Sequence, residues 1–130
     1  MSLLAGGIFF AGMIPAIAQT RVTTLPPSFI GLWAWDRQSC AKPDDDGHVT
    51  IKPRSVEFFA SSYSLRVITA RPDGAFHASV LATEEGETGR TRATIDLKLV
   101  APGQLSIKTR AAGGHIYVRC AAVRPRLQAN

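Results

Sequence analysis

The sequence is poor in the residues that usually carry chemistry: 130 residues include two cysteines, two tryptophans and two tyrosines. No Cys-x-x-Cys and no Cys–His spacing is present, so a zinc-type site has no ligand set. His48, His77 and His115 stand in separate segments with no i, i+2 or i, i+4 pairing. There is no Gly-x-Ser-x-Gly elbow, and with both cysteines assigned to a bridge no nucleophile is left to activate. Gly113-Gly114 precedes no helical pattern and therefore reads as a turn, not a phosphate cradle. No segment keeps an amphipathic helical period beyond about two turns. No enzymatic activity, metal or cofactor is expected.

No charged side chain occurs before Arg21. The apolar run Leu3–Ile17 is shorter than the roughly 20 residues of a spanning helix, and Ala16-Ile17-Ala18 supplies a small-x-small cleavage pattern. Residues 1–18 are thus expected to be a signal peptide cut before Gln19. Its positive n-region is only the amino terminus, unless the true start lies upstream of Met1. No cysteine sits at the cut, which argues against a lipid anchor, and the expected location is periplasmic or secreted. About 112 residues remain, enough for one domain but with little margin, and a monomer is expected. Export favours pairing of Cys40 with Cys120. Closing a loop of about 80 residues stabilises by on the order of 4 kcal/mol at most.

Residues 19–28 read as an extended N-terminal arm that is neither strand nor helix, closed by Pro26-Pro27. Residues 29–124 then carry short β-branched and aromatic runs separated by Gly, Pro and Asp, and 125–130 form a tail. Strands are expected over Phe29–Trp35, Val49–Lys52, Ser55–Ala60, Ser64–Ala70, Ala75–Ala82, Arg92–Val100, Leu105–Arg110 and His115–Ala121. Pro72-Asp73-Gly74, Pro102-Gly103 and Gly113-Gly114 mark hairpins. The expected fold is all-β, an antiparallel meander closing into a small seven- or eight-stranded barrel, because closure removes exposed edges. Alternation places Ala93, Ile95, Leu97 and Leu99 on one face with Leu105 and Ile107. In the last strand it groups Ile116, Val118 and Cys120 on the core side, with Tyr117 and Arg119 pointing away. Gly31, Trp33 and Trp35 share a face, either packing the core or lining a barrel mouth.

The formal charge of +5 and a pI near 9.8 favour anionic partners. Export argues against nucleic acid, and the aromatics are not interleaved with the basic residues as stacking platforms require. The carboxylates of Asp44-Asp45-Asp46-Gly47 lack the ligand spacing of a calcium loop and read as a solvated turn, as do Glu84, Glu85 and Glu87 around Gly86. The candidate binding surface is a basic strip of Arg90, Arg92, Lys98, Lys108 and Arg110, gathered on one sheet face by the hairpin at Pro102-Gly103. The expected function is an exported binding or interaction module, inhibitors of secreted hydrolases included, that engages an anionic or envelope partner through this face. The alternatives are a carrier of a small apolar ligand inside the barrel and a structural envelope protein.

Gly31-Leu32-Trp33 resembles the Gly-x-Trp signature of the lipocalin-like superfamily of β-barrels. That resemblance implies a Trp plugging the closed end with an Arg packed across it, Arg119 being the nearest candidate and Arg124 the next. A broader pattern covers most of the mature chain: Phe29-x-Gly31-x-Trp33-Ala34, Cys40, an extended stretch at Ile51, Glu85-Gly86 and Tyr117-x-Arg119-Cys120. It is similar to small exported proteins of alphaproteobacteria. The resemblance implies a second cysteine pair, whose places here are taken by Ser62 and Ala82. It implies no activity.

Overall fold

The computed structural model describes residues 6–7, 19–42, 46–109 and 113–120. Asp44, Asp45, Arg110, Arg124, the tail at 125–130 and nearly all of the expected signal segment lie outside the described residues. The strands are β1 (Thr20–Val22), β2 (Gly31–Ala34), β3 (His48–Lys52), β4 (Ser55–Phe58), β5 (Ser61–Ala70), β6 (Phe76–Glu84), β7 (Thr91–Ala101), β8 (Gln104–Thr109) and β9 (His115–Arg119). A 3-10 turn, Pro27–Phe29, precedes β2, and a short helix α1, Arg37–Cys40, follows it. Strands β2 to β9 pair antiparallel in sequence order, and β9 returns to β2 through Trp33↔Arg119 and Ala34↔Val118. The fold is therefore an antiparallel closed barrel of eight strands with one extra strand.

The turns obey the local chemistry. At Pro72-Asp73-Gly74 the proline fixes the entry and Gly74 takes φ +84°, while Arg71 N–H donates to Ala75 O at 2.8 Å. The alternation in β7 and β8 holds: Ile95, Leu97, Leu105 and Ile107 are buried, in register as Leu97↔Ile107 and Leu99↔Leu105.

Three expectations need correction. The expected arm contributes a strand, β1, which pairs with the second half of β5 through Val22↔Ile68. The cause lies in β5, whose register shifts between Leu65 and Val67. Such a bulge bends the strand, so β4 pairs with β5 only over Ser62–Ser64 and leaves the rest of that edge to β1. Arg54 seals the junction, donating to the carbonyls of Thr23 and Leu65. Secondly, Phe29 lies in the 3-10 turn and not in β2, because Pro26-Pro27 delivers the chain already turned.

Thirdly, the faces of β9 are reversed. Tyr117 is buried inside the barrel, whereas Ile116 is 49% exposed. Both faces of this strand carry large side chains, so alternation alone is ambiguous. The larger ring of Tyr117 goes inward. The Cys40–Cys120 disulfide, with Cα atoms 5.4 Å apart, consequently sits outside the barrel wall and ties α1 to it. Cys120 N–H donates to Leu32 O, and outward-facing Ala34 is fully buried beside α1. Ser62 and Ala82 face opposite ways, Ser62 exposed across from Thr83 and Ala82 buried across from Tyr63. A bridge between those two positions would not form on this backbone.

Candidate functional site

The two ends of the barrel differ. At one end Trp33 is 0% exposed, its indole N–H donating to Phe29 O at 3.0 Å. The Arg119 guanidinium carbon lies 4.4 Å from the Trp33 ring centroid. Arg119 also donates to the carbonyls of Ser28 and Ile30, and Phe29 meets Phe76 edge-on at 5.1 Å. This end is closed by side chains from the lead-in, β2, β6 and β9.

Between the ends the interior is filled. Val49, Ile51, Val56, Leu65, Ile68, Val80, Ile95, Leu97, Leu105 and Ile107 are all buried, and these side chains occupy the space between the ends.

At the other end lies a cavity of about 380 Å³. Its floor is Val49, Ile107, Tyr63 and Tyr117, and its walls are Phe58, Phe59 and Trp35, with His48, Ser61, Thr109, His115 and Asp46 at the edges. Phe58 and Tyr63 pack edge-on at 5.2 Å, which fixes the ring wall. Trp35 is 52% exposed and Phe59 64%, and together they line one exposed apolar patch of the kind that marks a binding surface. Burial raises the Tyr63 phenol above its ordinary value, the Glu84 carboxylate adds to this, and the Tyr63 hydrogen bond with Thr109 opposes it. A His48 ring nitrogen is hydrogen-bonded to Ser39 O, which anchors that rim residue to α1.

A shallower groove shares the Phe58–Ser61 wall with this cavity and adds Glu57, Thr83, Glu84 and Glu85. Glu57 is paired with Lys52 at 3.1 Å. Glu84 and Glu85 have no ion pair among the described residues.

The basic strip is arranged as follows. Arg92, Lys98 and Lys108 lie on the outer faces of β7 and β8, Arg90 lies in the turn before β7, and Arg110 is outside the described residues. Asp96 stands on the same face, directly across from Lys108, with Arg71 at 3.4 Å and His77 at 2.8 Å. Lys98 reaches Asp73 at 3.5 Å. Sequence reasoning placed Trp35 at a possible mouth but missed Phe59, Tyr63 and Tyr117. The adjacent pair Phe58-Phe59 was the available signal, since period-2 alternation cannot bury both rings. No protein-family model, curated protein or solved structure matches this chain.

Proposed function

We propose that this chain is a small-molecule binding module whose site is the barrel mouth. The observation that carries the reading is the cavity of about 380 Å³ framed by five aromatic rings, two of them more than half exposed, above a filled interior. That volume lies in the range of ligand pockets, which are lined mainly by apolar and aromatic side chains with a few polar groups to orient the occupant. Here Thr109, Ser61, His48 and His115 supply the polar groups. The carrier alternative is thereby moved from the barrel interior to its mouth. Export to an oxidising compartment is part of the proposal and is supported by the Cys40–Cys120 bridge. Engagement of an anionic partner through the basic face has less support, because Asp96 interrupts the strip and Asp73 engages Lys98.

The test is titration with the neutral fluorophore N-phenyl-1-naphthylamine. Saturable binding is expected, with quenching of Trp35 emission, and Trp35→Ala together with Phe59→Ser should weaken it at least tenfold. Absence of saturable binding, or equal affinity in the double variant, overturns the reading.

A further inference from the structure

The carboxylates of this basic chain are unevenly used. Eight lie among the described residues. Glu57, Asp73 and Asp96 are ion-paired, and Asp36 caps α1 by accepting from Ser39 N–H at 2.8 Å. The other four, Asp46, Glu84, Glu85 and Glu87, have no ion pair among the described residues, and all four belong to the mouth end. Asp46 lines the aromatic cavity, and Glu84 and Glu85 line the groove behind its Phe58-Phe59 wall.

The cations are distributed in the opposite way. The sequence has 15 Lys and Arg against 10 Asp and Glu, yet no Lys or Arg among the described residues lines either the cavity or the groove. Arg90 stands in the β6–β7 turn and Arg92 on the outer face of β7, outside both linings. Among the described residues, Asp46 is thus the fully charged group that lines the aromatic cage, and Glu84 and Glu85 lie in the groove across its Phe58-Phe59 wall. The negative faces of Trp, Tyr and Phe rings attract a cation, and the attraction grows when water is partly excluded. Carboxylates at the edge of the cage add a second attraction of the same sign.

Resting on the reading of the mouth as a ligand site, we infer that the occupant is an organic cation: an apolar or aromatic body with an ammonium-type head. The body lies against Trp35, Phe58, Phe59 and Tyr63, and the head faces Asp46 in the cavity or reaches Glu84 and Glu85 in the groove across the Phe58-Phe59 wall. Among the described residues, an anionic ligand of the same body meets like charge at Asp46 and no Lys or Arg in the cavity lining.

The experiment uses three probes with one ring and different heads: benzyltrimethylammonium, benzyl alcohol and phenylacetate. Each is titrated against the whole protein by displacement of N-phenyl-1-naphthylamine, at low and at physiological salt. Benzyltrimethylammonium should bind about tenfold more tightly than benzyl alcohol, with phenylacetate weakest, and the preference should shrink as salt rises. Glu84→Gln with Glu85→Gln and Asp46→Asn should bring the ammonium to the affinity of the alcohol on the same variant. Equal binding of the three probes, or a preference for phenylacetate, overturns the cation inference and leaves the mouth as a ligand site. No displacement by any probe, with the fluorophore itself unbound, overturns both.

Discussion

The Arg119 side chain lies across the Trp33 indole at 4.4 Å while its nitrogens donate to the carbonyls of Ser28 and Ile30. One residue therefore joins the first barrel strand, the last, and the turn that enters the barrel. Gly31 is part of the same unit. It takes φ +137°, where L side chains are strained, and a Cβ there would meet Arg119 Nη1 at 3.0 Å. The Gly-x-Trp spacing is thus explained by a close approach of Arg119 to the backbone.

Arg119→Ala should destabilise by about 1–2 kcal/mol, combining a cation–π contact with hydrogen bonds at an exposed site. Arg119→Lys should recover little of this, since an ammonium cannot fork between two carbonyls while lying flat on a ring. Gly31→Ala should cost about as much as Arg119→Ala, and the two together less than their sum. Urea unfolding of the four proteins measures this. Full additivity would contradict a shared unit.

The disulfide joins α1 to the residue after β9, outside the barrel wall. Cys40→Ser with Cys120→Ser should lower stability by up to about 4 kcal/mol through the loop of 80 residues it releases. Because the bridge is not part of the interior packing, the double variant should keep its barrel circular dichroism under native conditions. Its amide exchange should quicken most around Ser39, Ala34 and the β2–β9 pairing. Uniform loss of protection across all strands would place the bridge in the core instead.

Asp73 gives a pH handle on the β5–β6 hairpin. Its carboxylate accepts the Ala75 N–H at 3.0 Å, which lowers its pKa below the ordinary 3.8, and the Lys98 ammonium at 3.5 Å acts in the same direction. A depressed carboxyl contributes stability that is present above its ordinary value and is lost as pH falls through the folded value. Carbon-detected NMR titration should find Asp73 below 3.8. Lys98→Met should move it part of the way back and Ala75→Pro, which removes the donor, further. A titration at or above the ordinary value would remove the turn hydrogen bond from this account.

Much of the barrel was legible because its signals are local. The Pro-Asp-Gly and Pro-Gly turns and the period-2 runs of β7 and β8 set strands, hairpins and faces without reference to the rest of the chain. What alternation could not resolve was β9, where Ile116, Tyr117 and Val118 make both faces apolar and packing decides. The strand at Thr20–Val22 was hidden because it fills a gap left by a bulge forty-five residues away in β5, a tertiary cause with no local mark. The aromatic mouth was half legible. Trp35 and Phe59 each sit at the end of a strand pattern, but only closure of the barrel brings them together with Tyr63 and Tyr117.

The two tryptophans make the difference between the ends measurable. Trp33 and Trp35 share sequence parity, yet Trp33 is 0% exposed under Arg119 and Trp35 is 52% exposed at the mouth. Burial of Trp33 in a filled core means that Trp33→Ala should cost about 3–5 kcal/mol. Trp35→Ala removes a side chain that already faces water and should cost about 1 kcal/mol or less. Acrylamide should quench the single-tryptophan variant that retains Trp35 and leave the one that retains Trp33 largely unaffected, with Phe used as the replacement to preserve the fold. If the mouth binds the neutral fluorophore, quenching of Trp35 should fall on saturation while that of Trp33 stays unchanged. Equal accessibility of both indoles would mean that the barrel is open at each end, and the assignment of the mouth as the site would fall with it.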